Sequence, residues 1–280
     1  MQFVRKLEPF QNVVATGRAV LSSKVVLGQV IERITLELGG TFTKAMITAI
    51  RVKLNGKTIF GDVSGTVLDL IQRYLLLVND AARLTIDFSE PVARSIQGQL
   101  MGAIHTAAAG VTDFTIEVDI AGATNPTLTA WAQLRSPLSV QKAGFDPATL
   151  PMIRALVPTT VVLTATGEIQ ADVNYGSRRA SLLKRQFWYG STLTSLRIRR
   201  DSLDLFEGLT RAQVDFNAQE FGRQNQTNLF CWDPLIDGNQ SDAVATLRED
   251  GTPATFQFLP TGTAGTLSVL TDIYTTLPAL

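Results

Sequence analysis

The chain has 280 residues, 45% of them hydrophobic and 18% charged, with 25 lysines and arginines balanced by 25 aspartates and glutamates. A neutral chain has no global electrostatic reason to seek nucleic acid or an anionic membrane, and the low charged fraction suits a surface covered largely by neighbours. One cysteine, Cys231, and one histidine, His105, exclude an intramolecular disulfide framework and every multi-cysteine or multi-histidine metal site within one chain.

The length suits two β-domains of roughly 130 to 150 residues. Met1-Gln2-Phe3-Val4-Arg5-Lys6 is charged but leads into no apolar run of signal-peptide length. No stretch approaches the ~20 apolar residues of a membrane span, so a soluble, cytosolically made chain is expected.

Along the chain, Val30–Leu38 reads as a strand. Ile50-Arg51-Val52-Lys53-Leu54 alternates strictly, sending three apolar residues to one face and two cations to the other. Asn55-Gly56 follows, a pair that tolerates the positive φ of a type I′ turn, and Lys57-Thr58-Ile59-Phe60 resumes the strand, so a hairpin is expected over 47–60. Val67, Leu70, Ile71, Tyr74 and Leu75 then recur at helical spacing behind Ser64-Gly65-Thr66, giving one helix over Val67–Leu77 with its N-cap there. Further short strands are expected at Arg83–Phe88, Phe114–Ile120, Thr127–Leu134, Val161–Thr166 and Thr266–Tyr274. Four prolines between Pro137 and Pro158 argue against a long continuous strand or helix across that stretch and place the domain connection there.

The second half echoes the first. Leu193-Thr194-Ser195-Leu196-Arg197-Ile198-Arg199 repeats the pattern of Ile47-Thr48-Ala49-Ile50-Arg51-Val52-Lys53, and the same 146-residue offset pairs Arg197 with Arg51, Phe206 with Phe60 and Asp215 with Asp69. Phe114–Ile120 and Thr266–Tyr274 resemble each other as closing strands. A duplicated unit is the reading, with a fold comparison of the halves as its test.

No phosphate loop, nucleophile elbow, zinc-binding histidine pair or dinucleotide fingerprint occurs. His105, between Ile104 and Thr106, reads as structural, and Cys231 as a small buried apolar residue. Asp233-Pro234-Leu235-Ile236-Asp237-Gly238-Asn239-Gln240-Ser241-Asp242 offers oxygen ligands that could suit structural calcium, but lacks EF-hand spacing and reads better as a polar surface connector. Arg178, Arg179, Lys184, Arg185, Arg197, Arg199, Arg200 and Arg211 outnumber Asp201, Asp204 and Glu207. This excess could face nucleic acid, lipid headgroups or an acidic neighbour, although the alternation of Arg197 and Arg199 with Leu196 and Ile198 favours the solvated face of a strand. Phe187-Trp188-Tyr189 could stack on bases but reads better as core or interface. Asn225-Gln226-Thr227 and Asn239-Gln240-Ser241 fit the glycosylation pattern, without a secretory signal to give it meaning. No catalytic, cofactor-binding or metal-ligating residue is nominated.

The run Val30–Leu38, the link Gly39–Ala45, the hairpin Ile47–Lys57, the helical Val67-Leu68-Asp69-Leu70-Ile71, the strand Phe114–Ile120 and Leu128-Thr129-Ala130-Trp131-Ala132-Gln133 together resemble the major capsid proteins of corticoviruses. The likeness continues more weakly through Phe187–Phe221, and the connection from Pro137 to Asn174 is longer than the family's. The resemblance implies an all-β fold of two tandem antiparallel jelly-roll sandwiches, a short helix in each half, also seen in tectiviruses and adenovirus hexons. It assigns residues 1–138 to the first jelly roll and 139–280 to the connector and second. It implies a non-enzymatic major capsid protein of an icosahedral bacteriophage with an internal membrane, resident in the virion shell. Three chains would form a pseudo-hexagonal capsomer, meeting neighbouring capsomers, minor vertex or spike proteins and the internal membrane. The competing reading is a carbohydrate- or receptor-binding sandwich of a spike or tail, which needs an exposed platform built from Trp131, Trp188 or Trp232. A cupin-type enzyme is disfavoured by the lone histidine.

Overall fold

The computed structural model describes residues 2–24, 28–136, 152–178 and 181–280. The first half runs β1 (Gln2–Lys6), β2 (Gly17–Lys24), β3 (Val30–Gly39), β4 (Ile47–Leu54), β5 (Lys57–Val63), α1 (Gly65–Tyr74), β6 (Arg83–Asp87), α2 (Ile96–Leu100), β7 (Ile104–His105), β8 (Asp113–Ile120) and β9 (Thr127–Arg135). The second runs β10 (Met152–Leu163), β11 (Gly167–Glu168), β12 (Leu182–Tyr189), β13 (Leu193–Arg200), β14 (Leu203–Thr210), α3 (Arg211–Glu220), β15 (Leu229–Trp232), β16 (Val244–Ala245), β17 (Phe256–Gly262) and β18 (Gly265–Thr276).

In the first half the sheet orders are β1-β9-β3-β6, with β7 also on β3, and β2-β8-β4-β5. Opposed, these are the two four-stranded sheets of a jelly roll. The second half repeats both, as β10-β18-β12-β15, with β16 also on β12, and β11-β17-β13-β14. Even the irregularities recur. Register slips between Ile50 and Val52 and between Val52 and Lys53 are matched by slips between Leu196 and Ile198 and between Ile198 and Arg199, each 146 residues on. The duplicated unit read from the sequence is thus present in the fold. One expectation within it is corrected: β8, paired to β4, has its counterpart in β17, paired to β13, whereas Thr266–Tyr274 lies in β18, the counterpart of β9.

The β4–β5 hairpin turns as expected, with Asn55 at φ 49° and Gly56 at 77°. Ser64 caps α1, its hydroxyl accepting the Val67 N–H at 3.3 Å, while Val67, Leu68, Ile71 and Tyr74 are buried. The helix stops at Tyr74, short of Leu77, because Leu76 adopts φ 55° and the Leu76 and Leu77 N–H groups fold back onto the Arg73 and Gln72 carbonyls. α3 ends the same way at Gly222, 146 residues later, with φ 71°: the Gly222 and Arg223 N–H groups bond Gln219 and Ala218.

The prolines act differently from expectation at one end of the connection. Pro137 to Pro151 lie outside the described residues, but Pro158 sits inside the twelve-residue β10. Its missing N–H is tolerated because β10 pairs with β5 only through Leu156 and Phe60, leaving that edge of the strand open beyond the bridge. Gly61 makes room for the ring: a Cβ there would stand 3.1 Å from Pro158 Cδ. The expected strand Val161–Thr166 is the end of β10 and stops at Leu163.

Candidate functional site: the junction of the halves

The β5–β10 bridge is parallel, joins the halves into one nine-stranded sheet and is sealed by apolar groups. Phe60 and Leu156 are each 1% exposed, Phe60 stacks tilted on Phe88 at 5.4 Å, and one buried apolar cluster runs through both halves.

Beside this seal lies a set of buried charges. On an ordinary strand Lys184 and Arg185 would point to opposite faces. The register shift of β12 against β18 between Leu183 and Arg185 instead leaves both side chains fully buried. Arg185 donates from Nε to Asp233 at 2.7 Å and from Nη1 to Glu90 at 2.6 Å. Lys184 Nζ lies 3.0 Å from Glu90 and 3.4 Å from Asp272, 4.4 Å over the Tyr274 ring. Arg154 grips Asp272 with two hydrogen bonds of 2.9 and 2.8 Å and donates a third, 2.8 Å, to the Asp87 carbonyl. Arg223 approaches Asp233 at 3.6 Å. Asp87 and Glu90 come from the first half and the rest from the second, so the charges tie the halves together.

Burial alone would raise the Glu90 pKa, but Arg185, Lys184 and Arg154 outweigh it and hold the carboxyl well below its ordinary value. Burial prevails at Asp87 and Asp233, which are pushed upward despite their arginine neighbours, and lowers Lys184. Desolvation opposes the charge on Arg185, yet Asp233, Glu90 and Asp272 raise its pKa well above the ordinary value. Desolvation absorbs much of the Coulombic gain of a buried pair of this kind, so the intact pair adds little net stability while the loss of one partner is costly. A misregistered docking of the halves would leave a charge buried and unpaired.

The residues singled out in the sequence are scattered. His105 is buried in β7, its Nε2 3.0 Å from the Leu100 carbonyl. Cys231 is buried in β15, its thiol pKa raised by burial. Trp188 and Trp232 are buried, so neither can join an exposed platform; Phe187 is likewise core. The segment 233–242 is only partly a surface connector: Asp233 is buried among arginines, while Asp237 caps the Asn239 N–H at 2.8 Å and Asn239 the Ser241 N–H at 3.3 Å. Among the described residues no group of three His, Cys, Asp or Glu is arranged to hold a metal ion.

The basic excess of 178–211 is dispersed. Arg197 and Arg199 sit on the part-exposed face of β13, facing Glu168 at 3.7 Å and Asp204 at 2.7 Å, while Arg211 binds the Gln226 and Leu229 carbonyls. Lys184 and Arg185 are corrections, being interior rather than on any solvated face. Arg179 lies outside the described residues. The junction network was missed because the sequence signal, two adjacent cations inside an apolar run, acquires meaning only with the bulge.

With this architecture in hand, the comparisons with known proteins agree. The family model for the viral coat protein P2 N-terminal domain matches residues 4–135, and that for the viral coat protein P2 C-terminal domain matches residues 153–277. No curated protein matches the sequence. Among solved structures, the major capsid protein P2 of bacteriophage PM2 superposes with a TM-score of 0.82 at 18% identity, covering 98% of this chain and 97% of that one. The STIV MCP gives 0.68 at 12% identity, covering 99% and 97%. A chain of Sulfolobus Turreted Icosahedral Virus gives 0.66 at 10% identity, covering 99% and 91%. At these identities the superpositions show a shared fold, the double jelly roll, and the two family models carry the identity. The chain belongs to the viral coat protein P2 family and is a major capsid protein of a virion shell, its halves being that family's N- and C-terminal domains.

Proposed function

We propose that three copies of the chain form a pseudo-hexagonal capsomer, and that such capsomers tile the icosahedral shell of a bacteriophage with an internal membrane. The observation that carries this is the doubling: one chain presents two jelly rolls of the same topology side by side in a continuous sheet, so a three-fold ring presents six similar lobes. The role is structural throughout. The buried charges of the junction are internally paired and serve cohesion, and we assign the chain no catalysis, no cofactor and no structural calcium. No helix among the described residues is long and apolar enough to cross a membrane. Light scattering coupled to size exclusion tests the core of this reading. A mass near three times 30.4 kDa is expected, and a stable monomer at high micromolar concentration would overturn it.

A further inference from the structure

Each of the two strands that meet at the junction has a counterpart in the other half. β1 and β10 hold equivalent places, each pairing with the last strand of its half, and β5 and β14 likewise each follow the corresponding hairpin turn. Within the chain β5 meets β10. Their counterparts β14 and β1 end their sheets, with no further strand paired to them among the described residues.

The registers align the residues. Leu183 opposes Ile273 and Arg185 opposes Asp272 across β12 and β18, just as Ile31 opposes Leu134 and Arg33 opposes Gln133 across β3 and β9, with a slip at the same point in both. Gln133 is thus the counterpart of Asp272. Val4 opposes Gln133 and Leu156 opposes Asp272, so Val4 stands where Leu156 stands. On the other edge Phe206 opposes Ile198 as Phe60 opposes Val52. Leu156 is 1% exposed, whereas Val4 is 63% exposed, and Leu203 at the start of β14 is 68% exposed.

Two residues beyond Leu156 the internal junction places Pro158 against Gly61. The equivalent positions are Lys6 on β1 and Glu207 on β14, opposite charges that have no ion-pair partner among the described residues.

We infer that the β1 edge of one copy adds in parallel to the β14 edge of the next, with Val4 packed against Phe206 and Lys6 paired with Glu207. The contact is head to tail, so each copy supplies one edge and receives the other, as ring closure requires. It also covers edge strands that would otherwise invite indiscriminate pairing. This assignment rests on the capsomer reading and specifies its interface.

Cysteine cross-linking with a parallel mass measurement tests it. Paired strands lie about 4.8 Å apart, within disulfide reach. The full chain carrying Val4→Cys and Phe206→Cys, mildly oxidised, should give a covalent ladder ending at three chains on a non-reducing gel, while each single variant gives none. A trimeric mass without the ladder, or Val4→Cys dimers formed on their own, would overturn the edge assignment and leave the capsomer standing; a monomeric mass with no ladder would overturn both. Because Phe206 also packs on Phe230, a charge swap provides a second route that leaves the core intact. Lys6→Glu and Glu207→Lys should each raise the concentration at which trimers fall apart by about tenfold or more, and together restore it. Equal, additive losses in the double variant would refute the pairing. Val78→Asp, at an 89% exposed position off both edges, should leave the mass unchanged.

Discussion

Replacing Arg154 with methionine probes the junction where its geometry is most demanding. The guanidinium makes two charge-assisted bonds to Asp272 and one bond to the Asp87 carbonyl, and both Arg154 and Asp272 are buried. Methionine keeps most of the volume but leaves Asp272 with only Lys184 at 3.4 Å and Arg185 at 4.0 Å. Breaking a buried pair by removing one partner costs about 3–5 kcal/mol, and the remaining cations place the expected loss near the lower end, about 3 kcal/mol. Removing both charges, as Arg154→Met with Asp272→Leu, leaves no orphan carboxylate and should recover at least half of that. Urea unfolding followed by tryptophan fluorescence measures both, at one fixed protein concentration because association adds to apparent stability. As a reference, Arg18→Met should leave the urea midpoint nearly unchanged, since its partner Asp119 and Arg18 itself are solvent-accessible. A loss below about 1 kcal/mol for Arg154→Met, or a double variant as unstable as the sum of its parts, would refute the claim that the charges clasp the halves.

Glu90 links this network to pH. A carboxyl whose folded pKa is depressed contributes stability above its unfolded value, ordinarily 4.5, and loses it as pH falls through the folded value. Asp87 and Asp233, raised in the folded state, act in the opposite sense, favouring the fold as pH falls toward their unfolded values. Glu90→Gln should therefore cost stability at pH 7 and flatten the decline between pH 5 and 3, measured as thermal midpoint against pH; an unchanged slope would contradict the assignment. Leu76→Gly should stabilise: a left-handed residue with a Cβ costs about 1–2 kcal/mol and glycine's extra unfolded freedom about 0.5–1, leaving a gain of up to about 1.5 kcal/mol in a urea titration. Gly222 already occupies the equivalent site in the other half. Gly102→Val should lose about 1–3 kcal/mol by overpacking, because a Cβ there would meet Tyr274 Cε1 at 2.6 Å and the Phe88 carbonyl at 2.8 Å.

What the sequence revealed follows from where the two halves keep step. From β4 through β6 the counterparts lie 146 residues apart, from Ile47 and Leu193 to Asp87 and Asp233, whose arginine partners Arg33 and Arg185 are also equivalent. A gapless comparison therefore finds the hairpin and helix. Before that run β1 and β10 are offset by 152, as Val4 and Leu156 show, and after it β8 and β17 by 142, as Ile116 and Phe258 show. Loops of unequal length slide the flanking strands out of alignment, so no single offset brings β17 against β8 in the sequence. β1 was illegible for another reason. Gln2-Phe3-Val4-Arg5-Lys6 has no buried face of its own, so no periodicity marks it as a strand until a neighbour is present. The buried cations of β12 were equally hidden, because charge in a sequence reads as surface unless a bulge turns it inward.

Imaging the purified protein by electron microscopy tests the central claim most directly. Class averages should show three-fold particles with six similar lobes, the internal junction alternating with the contact between chains around the ring. Averages showing single two-lobed chains, or two-fold dimers, would contradict it.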